Sequence, residues 1–127
     1  MSRNGNTIAI IDDDESVRHA IRRLIQSAGW LALTFATAEE FVQSRAQPPP
    51  CCLILDVRLP GLSGLELKQQ LDADGRSLPV IFITAYANDQ IRKQALQAGA
   101  IAFLIKPFEE QALLDALTLA VGQSLPD

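Results

Sequence analysis

The chain has 127 residues, a length that suits one globular domain and leaves little room for a second. Its hydrophobic fraction of 48% and charged fraction of 20% exclude a disordered chain and allow a core that needs no disulfide or metal to hold it together. The formal net charge of −4 argues against nucleic acid as a direct partner, and the sequence lacks the apolar run of about 18 residues that a membrane helix needs.

Strand-like and helix-like segments alternate from the N-terminus onward. The apolar run Thr7–Ile11 predicts a strand buried on both faces, and it stops at three aspartates. Apolar residues at helical spacing then predict a helix that ends near Gly29. Residues 30–35 predict a second strand, after which Thr37 and Glu40 have the spacing of a capping box and open a short helix.

The same alternation continues in the second half of the chain. Residues 51–55 predict a third strand that stops at Asp56, and Ser63 with Glu66 again fits a capping box at the start of a helix. The segments predicted after it are a strand at 80–83, a helix at about 89–98, a strand at 101–105 and a helix at about 109–121.

Five strand–helix units predict a parallel sheet with helices on both faces. Right-handed crossovers leave a doubly wound sheet as the simplest closure, because an eight-unit barrel needs about twice the chain. We expect a single domain over residues 1–127, with a core at about 7–121 and short flexible ends. The last residues, GQSLPD, are as typical of the start of a linker as of a natural terminus.

Cys51 and Cys52 are adjacent at the start of the third strand. Neighbouring side chains on a strand point to opposite faces, so we expect no disulfide between them and interpret both as small buried residues in a reducing compartment. The N-terminal residues lack the apolar segment of a signal peptide. We therefore expect a cytoplasmic protein.

Polar residues follow four of the five predicted strands. These residues are, in chain order, Asp12 and Asp13, then Asp56, then Thr84, then Lys106. The carboxyl ends of parallel strands meet at one edge of a sheet, and sites form beyond that edge. Three carboxylates that converge there repel one another, and a hard divalent cation such as Mg²⁺ relieves the repulsion. A carboxylate nucleophile beside a lysine, a hydroxyl and a metal makes up the equipment of phosphoryl transfer.

Four segments at these strand ends resemble the receiver family of two-component signalling: IIDDDESVR, LILDVRLPGLSGLEL, VIFITAY and AFLIKPF. The resemblance covers about residues 7–121, and KPFEEQALLDAL is similar to receivers of the FixJ/NarL type. It implies a flavodoxin-like sheet with strand order 2-1-3-4-5 and five helices on both faces. One departure is Ser63, which stands where the family often has aspartate and which we expect to leave the chemistry intact.

The resemblance also implies residue roles. Asp56 is expected to be the phospho-acceptor, assisted by Lys106 and Thr84. The metal, Mg²⁺ with Mn²⁺ as an expected substitute, is assigned four ligands: the carboxylates of Asp12, Asp13 and Asp56 and the backbone carbonyl of Arg58. The chain would then catalyse only its own phosphorylation and dephosphorylation, so we do not expect an enzyme.

Further expectations concern the response to phosphorylation. Thr84 and Phe103 are expected to form a conformational switch, although an aromatic on a central strand is also typical of plain core packing. Arg58 and Tyr86 occupy the positions that tune phosphoryl lifetime in the family, and a bulky Tyr86 predicts slow to moderate self-hydrolysis. Leu114 and Leu119 are expected to lie outside the core stripe, on a face that dimerises on phosphorylation.

The implied partner is a sensor histidine kinase or a histidine phosphotransfer protein, with no direct contact to nucleic acid or membrane. His19 fits either a solvated face of the first helix or part of a kinase-docking surface. A small phosphatase or phosphotransferase acting through an aspartyl-phosphate is the first alternative, but it needs a second aspartate two residues after Asp56, where Arg58 stands. A pseudo-receiver that only binds partners is the second, and the intact polar residues argue against it.

Overall fold

The computed structural model describes residues 6–44, 49–76, 78–85 and 88–124. Strands and helices alternate as predicted. They are β1 (Thr7–Ile11), α1 (Glu15–Ser27), β2 (Leu31–Phe35), α2 (Ala38–Ser44), β3 (Cys52–Asp56), α3 (Gly64–Ala73), β4 (Val80–Thr84), α4 (Asp89–Gln97), β5 (Ala102–Ile105) and α5 (Glu110–Ser124). Among the described residues, no helix has the length and apolar character needed to cross a membrane.

All five strands form one parallel sheet in the order β2-β1-β3-β4-β5, which confirms the predicted topology. The register places Ile11 opposite Leu55 and Asp56 opposite Ile83, so that β1, β3 and β4 end close to the same level. The polar residues at or just beyond the ends of these strands therefore share one edge of the sheet.

The sheet separates two hydrophobic core clusters, and alternate strand residues feed each of them. Ile8 and Ile10 point into the first cluster, which α1 and α5 cover, whereas Ala9 and Ile11 point into the second, which α2, α3 and α4 cover. Every residue of β1, β3 and β4 is buried, because both faces of the central strands are covered. This explains why these strands read as continuous apolar runs.

The capping residues predicted from the sequence lie at the helix termini. Ser63 and Glu66 form a complete capping box at α3. The Thr37 hydroxyl accepts from the Glu40 N–H at 3.1 Å, and the Glu40 carboxylate accepts from the Thr37 N–H at 3.1 Å, at the start of α2. Gly29 follows α1 with φ of 92°, a left-handed conformation that glycine adopts without strain.

Several boundaries differ from the prediction by one to three residues. β2 begins at Leu31, with Trp30 buried just before it, and β3 is shifted by one residue to Cys52–Asp56. β4 includes Thr84, β5 begins at Ala102, and α5 continues to Ser124. As expected, the two cysteines form no disulfide with each other; Cys52 is buried, whereas Cys51 is half-buried. Burial raises the pKa of the Cys52 thiol, with a contribution from neighbouring Cys51, so the thiol stays protonated and behaves as a small apolar side chain.

Candidate functional site

Three carboxylates converge at the carboxyl edge of the sheet. One oxygen from each of Asp12, Asp13 and Asp56 lies within 4.8 Å of the others. Asp12 and Asp56 are buried while Asp13 is exposed, so the cluster is open to solvent on one side. An all-oxygen donor set with an open side suits Mg²⁺, which keeps waters and accepts phosphate oxygens as further ligands. The residues present therefore fit the cation that the sequence predicted.

Lys106 connects the two buried carboxylates. Its Nζ donates to Asp12 Oδ2 at 2.7 Å and to Asp56 Oδ2 at 3.0 Å. The lysine follows β5 directly, and its backbone N–H donates to the Thr84 carbonyl at 2.8 Å, which extends the β4–β5 pairing to the strand end. The Lys106–Pro107 peptide bond is cis. The lysine thus lies where its charge offsets the carboxylates.

The charges at this edge shift one another's protonation. Burial raises the pKa of Asp56 and the charge of Asp12 adds to this, while hydrogen bonds from Lys106 and the Arg58 N–H oppose it; the pKa ends above its ordinary value. Burial alone lowers the pKa of Lys106, but hydrogen bonds to Asp12 and Asp56 and their charges raise it further than burial lowers it. The lysine is therefore charged across the physiological pH range.

The turn from β1 into α1 is held by several hydrogen bonds. Asp12 Oδ1 accepts from the Asp14 N–H at 2.8 Å. Asp14 is the N-cap of α1, and its Oδ1 accepts from the backbone N–H of Ser16 and Val17. Arg18, one turn into the helix, donates from a guanidinium nitrogen to the Asp12 carbonyl at 2.7 Å. The role of Arg18 was not predicted from the sequence.

The connection between β3 and α3 packs tightly against the acceptor candidate. The Arg58 N–H donates to Asp56 Oδ1 at 2.9 Å. A Cβ at Gly64 would lie 2.3 Å from the Asp56 carbonyl oxygen, so only glycine fits there. Glu39 of α2 accepts from the Leu62 N–H at 2.9 Å and secures the middle of the connection. The roles of Gly64 and Glu39 were not predicted from the sequence. The one available signal was the presence of a glycine directly after the N-cap Ser63.

The two residues expected to form a switch lie on neighbouring strands. Thr84 is fully buried at the end of β4, one residue beyond the Ile83 that pairs with Asp56. Phe103 is half-buried on β5, opposite Phe82, and packs against the second core cluster. Tyr86, expected to tune phosphoryl lifetime, lies outside the described residues.

Three surface expectations have different outcomes. His19 is exposed on α1, which both interpretations of this residue allow. Leu119 is 57% exposed on α5, as predicted. The prediction for Leu114 was wrong, because it is half-buried against the first core cluster. The two leucines are five positions apart, which is about 140° around the helix axis, so Leu114 lies nearer the sheet while Leu119 faces away from it.

An apolar groove opens beside Lys106. It has a volume of about 560 Å³ and lies between α1 and the start of α5. Apolar residues from α1 and from the connection between β5 and α5 line most of it: Val17, Ala20, Ile21, Leu24, Pro107 and Phe108. The groove therefore offers an apolar contact surface next to the carboxylate cluster.

Comparison with known proteins gives a family that covers most of the chain. The family model described as the response regulator receiver domain matches residues 8–118. The transcriptional regulatory protein TdiR of Thauera aromatica is 39% identical over 119 residues, which are 94% of this chain and 52% of TdiR. The response regulator protein TodT of Pseudomonas putida is 38% identical over 121 residues, 95% of this chain and 53% of TodT. The chain thus spans about half the length of the curated relatives it matches.

Solved structures show the same similarity. The response regulator StyR is 45% identical with a TM-score of 0.86, over 94% of this chain and 60% of the StyR chain. The structure called FixJ-N is 29% identical with a TM-score of 0.86, over 96% of this chain and 98% of that chain. The fold seen here is therefore shared with proteins of recognisable sequence similarity.

Proposed function

We propose, from the premise that this chain belongs to the family of response regulator receiver domains, that Asp56 is its phospho-acceptor. Receiver domains are phospho-acceptor signalling domains; they bind Mg²⁺ at an acidic pocket and interact with histidine kinases. The observation that carries the assignment is the position of Asp56: it is held by Lys106 on one oxygen and by the Arg58 N–H on the other, beside two further carboxylates.

The transfer from a phosphohistidine is an exchange of bonds at phosphorus. A carboxylate oxygen of Asp56 forms a bond to phosphorus while the bond from phosphorus to the donor nitrogen breaks, and the imidazole leaves with that electron pair. Lys106 exchanges its hydrogen bond to Asp56 for one to a phosphoryl oxygen, and the Thr84 hydroxyl donates to a second phosphoryl oxygen. Because Asp56 keeps the Arg58 N–H on its other oxygen, its carboxylate stays oriented during the exchange.

Asp12, Asp13 and Asp56 would hold the cation, with the backbone carbonyl of Arg58 as a fourth ligand from the protein. Bound Mg²⁺ supplies positive charge opposite the phosphoryl oxygens. We expect Mn²⁺ to substitute, because the ligands are all oxygen. Arg58 and Tyr86 are proposed to control access of water to the acyl phosphate; a faster loss of the phosphoryl group in Tyr86→Ala would support this, and an unchanged rate would contradict it.

The signalling context follows from the relatives. TdiR is named as a transcriptional regulatory protein and is about twice as long as this chain. We therefore assign this chain, as one domain, the role of the receiver that controls an output domain or partner. The phosphodonor is a sensor histidine kinase or a histidine phosphotransfer protein, and the apolar groove beside Lys106 is the surface we assign to its docking.

The switch is assigned to Thr84 and Phe103. The phosphoryl group on Asp56 draws the Thr84 hydroxyl toward it, and Phe103 turns inward into the space that Thr84 leaves. The outer face of α4, β5 and α5 then changes shape. Ile105 and Leu119 lie on this face and are 50% and 57% exposed, so it is a suitable surface for a homodimer.

Intact mass after incubation with acetyl phosphate and Mg²⁺ tests the acceptor assignment. We expect one phosphoryl adduct that requires Mg²⁺ and is absent from Asp56→Asn. An adduct that persists in Asp56→Asn would show that another residue is the acceptor. No adduct in the wild type with acetyl phosphate or with a phosphorylated histidine donor would favour a binding module that is not phosphorylated.

A further inference from the structure

The three carboxylates of the cluster differ in the hydrogen bonds that they accept. Asp12 accepts from Lys106 and from the Asp14 N–H, and Asp56 accepts from Lys106 and from the Arg58 N–H. Asp13 is exposed, and no described residue donates a hydrogen bond to its carboxylate or forms an ion pair with it. The direction of its side chain therefore depends on the backbone that carries it.

That backbone is fixed from both sides of Asp12. The Asp12 N–H donates to the Phe35 carbonyl at 3.1 Å, which holds the turn to β2. The Asp12 carbonyl accepts from Arg18 at 2.7 Å. This carbonyl belongs to the same planar peptide unit as the Asp13 N–H, so fixing its oxygen fixes the plane from which the Asp13 side chain departs.

We infer that Arg18 is a positioning residue for Mg²⁺: through the Asp12 carbonyl it holds Asp13 where its carboxylate can join those of Asp12 and Asp56. This inference rests on the proposed function, since it concerns the cation of that site. Arg18 lies six residues after Asp12, so its half-buried side chain reaches back over the N-terminal turn of α1. Its charge by itself would repel a cation, so a purely electrostatic role predicts the opposite effect on Mg²⁺ affinity.

Isothermal titration of Mg²⁺ into the unphosphorylated protein separates these two roles. For Arg18→Met we expect the dissociation constant for Mg²⁺ to rise about tenfold, the lower end of what loss of a group supporting metal ligands costs. The matched control is Arg22→Met, which removes the same charge one turn further along α1 from an exposed residue. Its dissociation constant should stay within about twofold of the wild type, because charge at that exposed position is screened.

Carbonyl ¹³C chemical shifts supply a readout that does not depend on activity. The Asp12 carbonyl resonance should move in Arg18→Met and not in Arg22→Met, while the rest of the spectrum shows that each variant is folded. Arg18→Gln serves as a second variant if Arg18→Met does not fold, with the same expected loss of Mg²⁺ affinity because glutamine is too short to reach the carbonyl.

The outcomes distinguish the inference from the proposed function. Equal or tighter Mg²⁺ binding in a folded Arg18 variant, with the wild type phosphorylated on Asp56, overturns the role of Arg18 alone. A wild type that neither binds Mg²⁺ nor forms the Asp56 adduct overturns both.

Discussion

At the scale of single residues, Asp56 and Lys106 show how a neighbouring cation balances a buried carboxylate. The carboxylate is buried beside Asp12, and the lysine and the Arg58 N–H offset part of the resulting cost. A buried carboxylate near another carboxylate is less stable charged than in water. We therefore expect the charged Asp56 side chain, the proposed phospho-acceptor, to destabilise the unphosphorylated, metal-free protein.

The first stability prediction concerns Asp56→Asn. The pKa of Asp56 is raised in the fold, so the native state favours the protonated acid; the associated stability is present below the ordinary pKa and is lost as the pH rises through the raised value. Asparagine carries no charge at any pH. We expect Asp56→Asn to raise the free energy of unfolding at pH 7 by on the order of 1 kcal/mol in the absence of Mg²⁺.

Urea unfolding at pH 7 and at pH 4, both without Mg²⁺, measures this difference. The advantage of Asp56→Asn should shrink at the lower pH, because the wild-type carboxyl is then closer to its favoured protonated form. A variant less stable than the wild type at pH 7 would show that the Lys106 ion pair outweighs the desolvation of Asp56.

At the scale of elements, strand ends and helix caps were predictable from the sequence, whereas contacts between distant elements were not. Strand ends predicted the carboxylate cluster because parallel strands in register bring their carboxyl ends to one level. The capping residues were readable because each acts within four residues of sequence. The contacts of Arg18 and Glu39 could not be predicted in this way. The contact of Arg18 depends on the path of its long side chain, and that of Glu39 depends on a loop 23 residues away in the sequence.

A pair of glycine substitutions tests the close approach of α3 to β3. In Gly64→Ala the new Cβ would lie 2.3 Å from the Asp56 carbonyl oxygen, and a backbone atom cannot move aside cheaply. We expect a loss of about 2–4 kcal/mol in the free energy of unfolding, together with slower phosphorylation of Asp56.

Gly122→Ala in α5 is the control. Nothing lies within 4 Å of its Cβ position, so the same change should stabilise the helix by up to about 1 kcal/mol. Equal effects of the two substitutions on thermal unfolding would contradict the proposed close contact at Gly64.

At the scale of the whole molecule, the two assigned surfaces involve different elements except for α5, which contributes to both. The groove assigned to the phosphodonor involves α1 and the start of α5, while the proposed dimer face involves α4, β5 and the outer side of α5. The sequence predicted the sheet order, but it did not show which apolar residues near a helix boundary are exposed. Leu114 and Leu119 illustrate this, because five positions along one helix separate a half-buried residue from an exposed one.

Beryllofluoride with Mg²⁺, a stable mimic of the phosphoryl group, tests the dimer face. We expect the wild type to shift to a dimer in size-exclusion chromatography with light scattering, and Leu119→Ser to remain a monomer. Phe103→Ala should also remain a monomer, because the switch no longer reaches the face. Leu31→Ser is the control: Leu31 is 53% exposed on the opposite edge strand, and its replacement should leave dimerisation unchanged.

A wild type that remains monomeric with beryllofluoride would contradict the homodimer. If Leu31→Ser abolished dimerisation and Leu119→Ser did not, the interface would lie at β2 and not at α5.

The ion pairs of Lys106 join distant parts of the polypeptide. The lysine lies 94 residues after Asp12 and 50 residues after Asp56. During synthesis Asp12 and Asp56 leave the ribosome before Lys106 does. An incomplete chain therefore has these acidic residues without the lysine that offsets their charge. If Asp56 is the phospho-acceptor, we therefore expect competence to accept a phosphoryl group only once β5 has joined the sheet and brought Lys106 to the carboxylates.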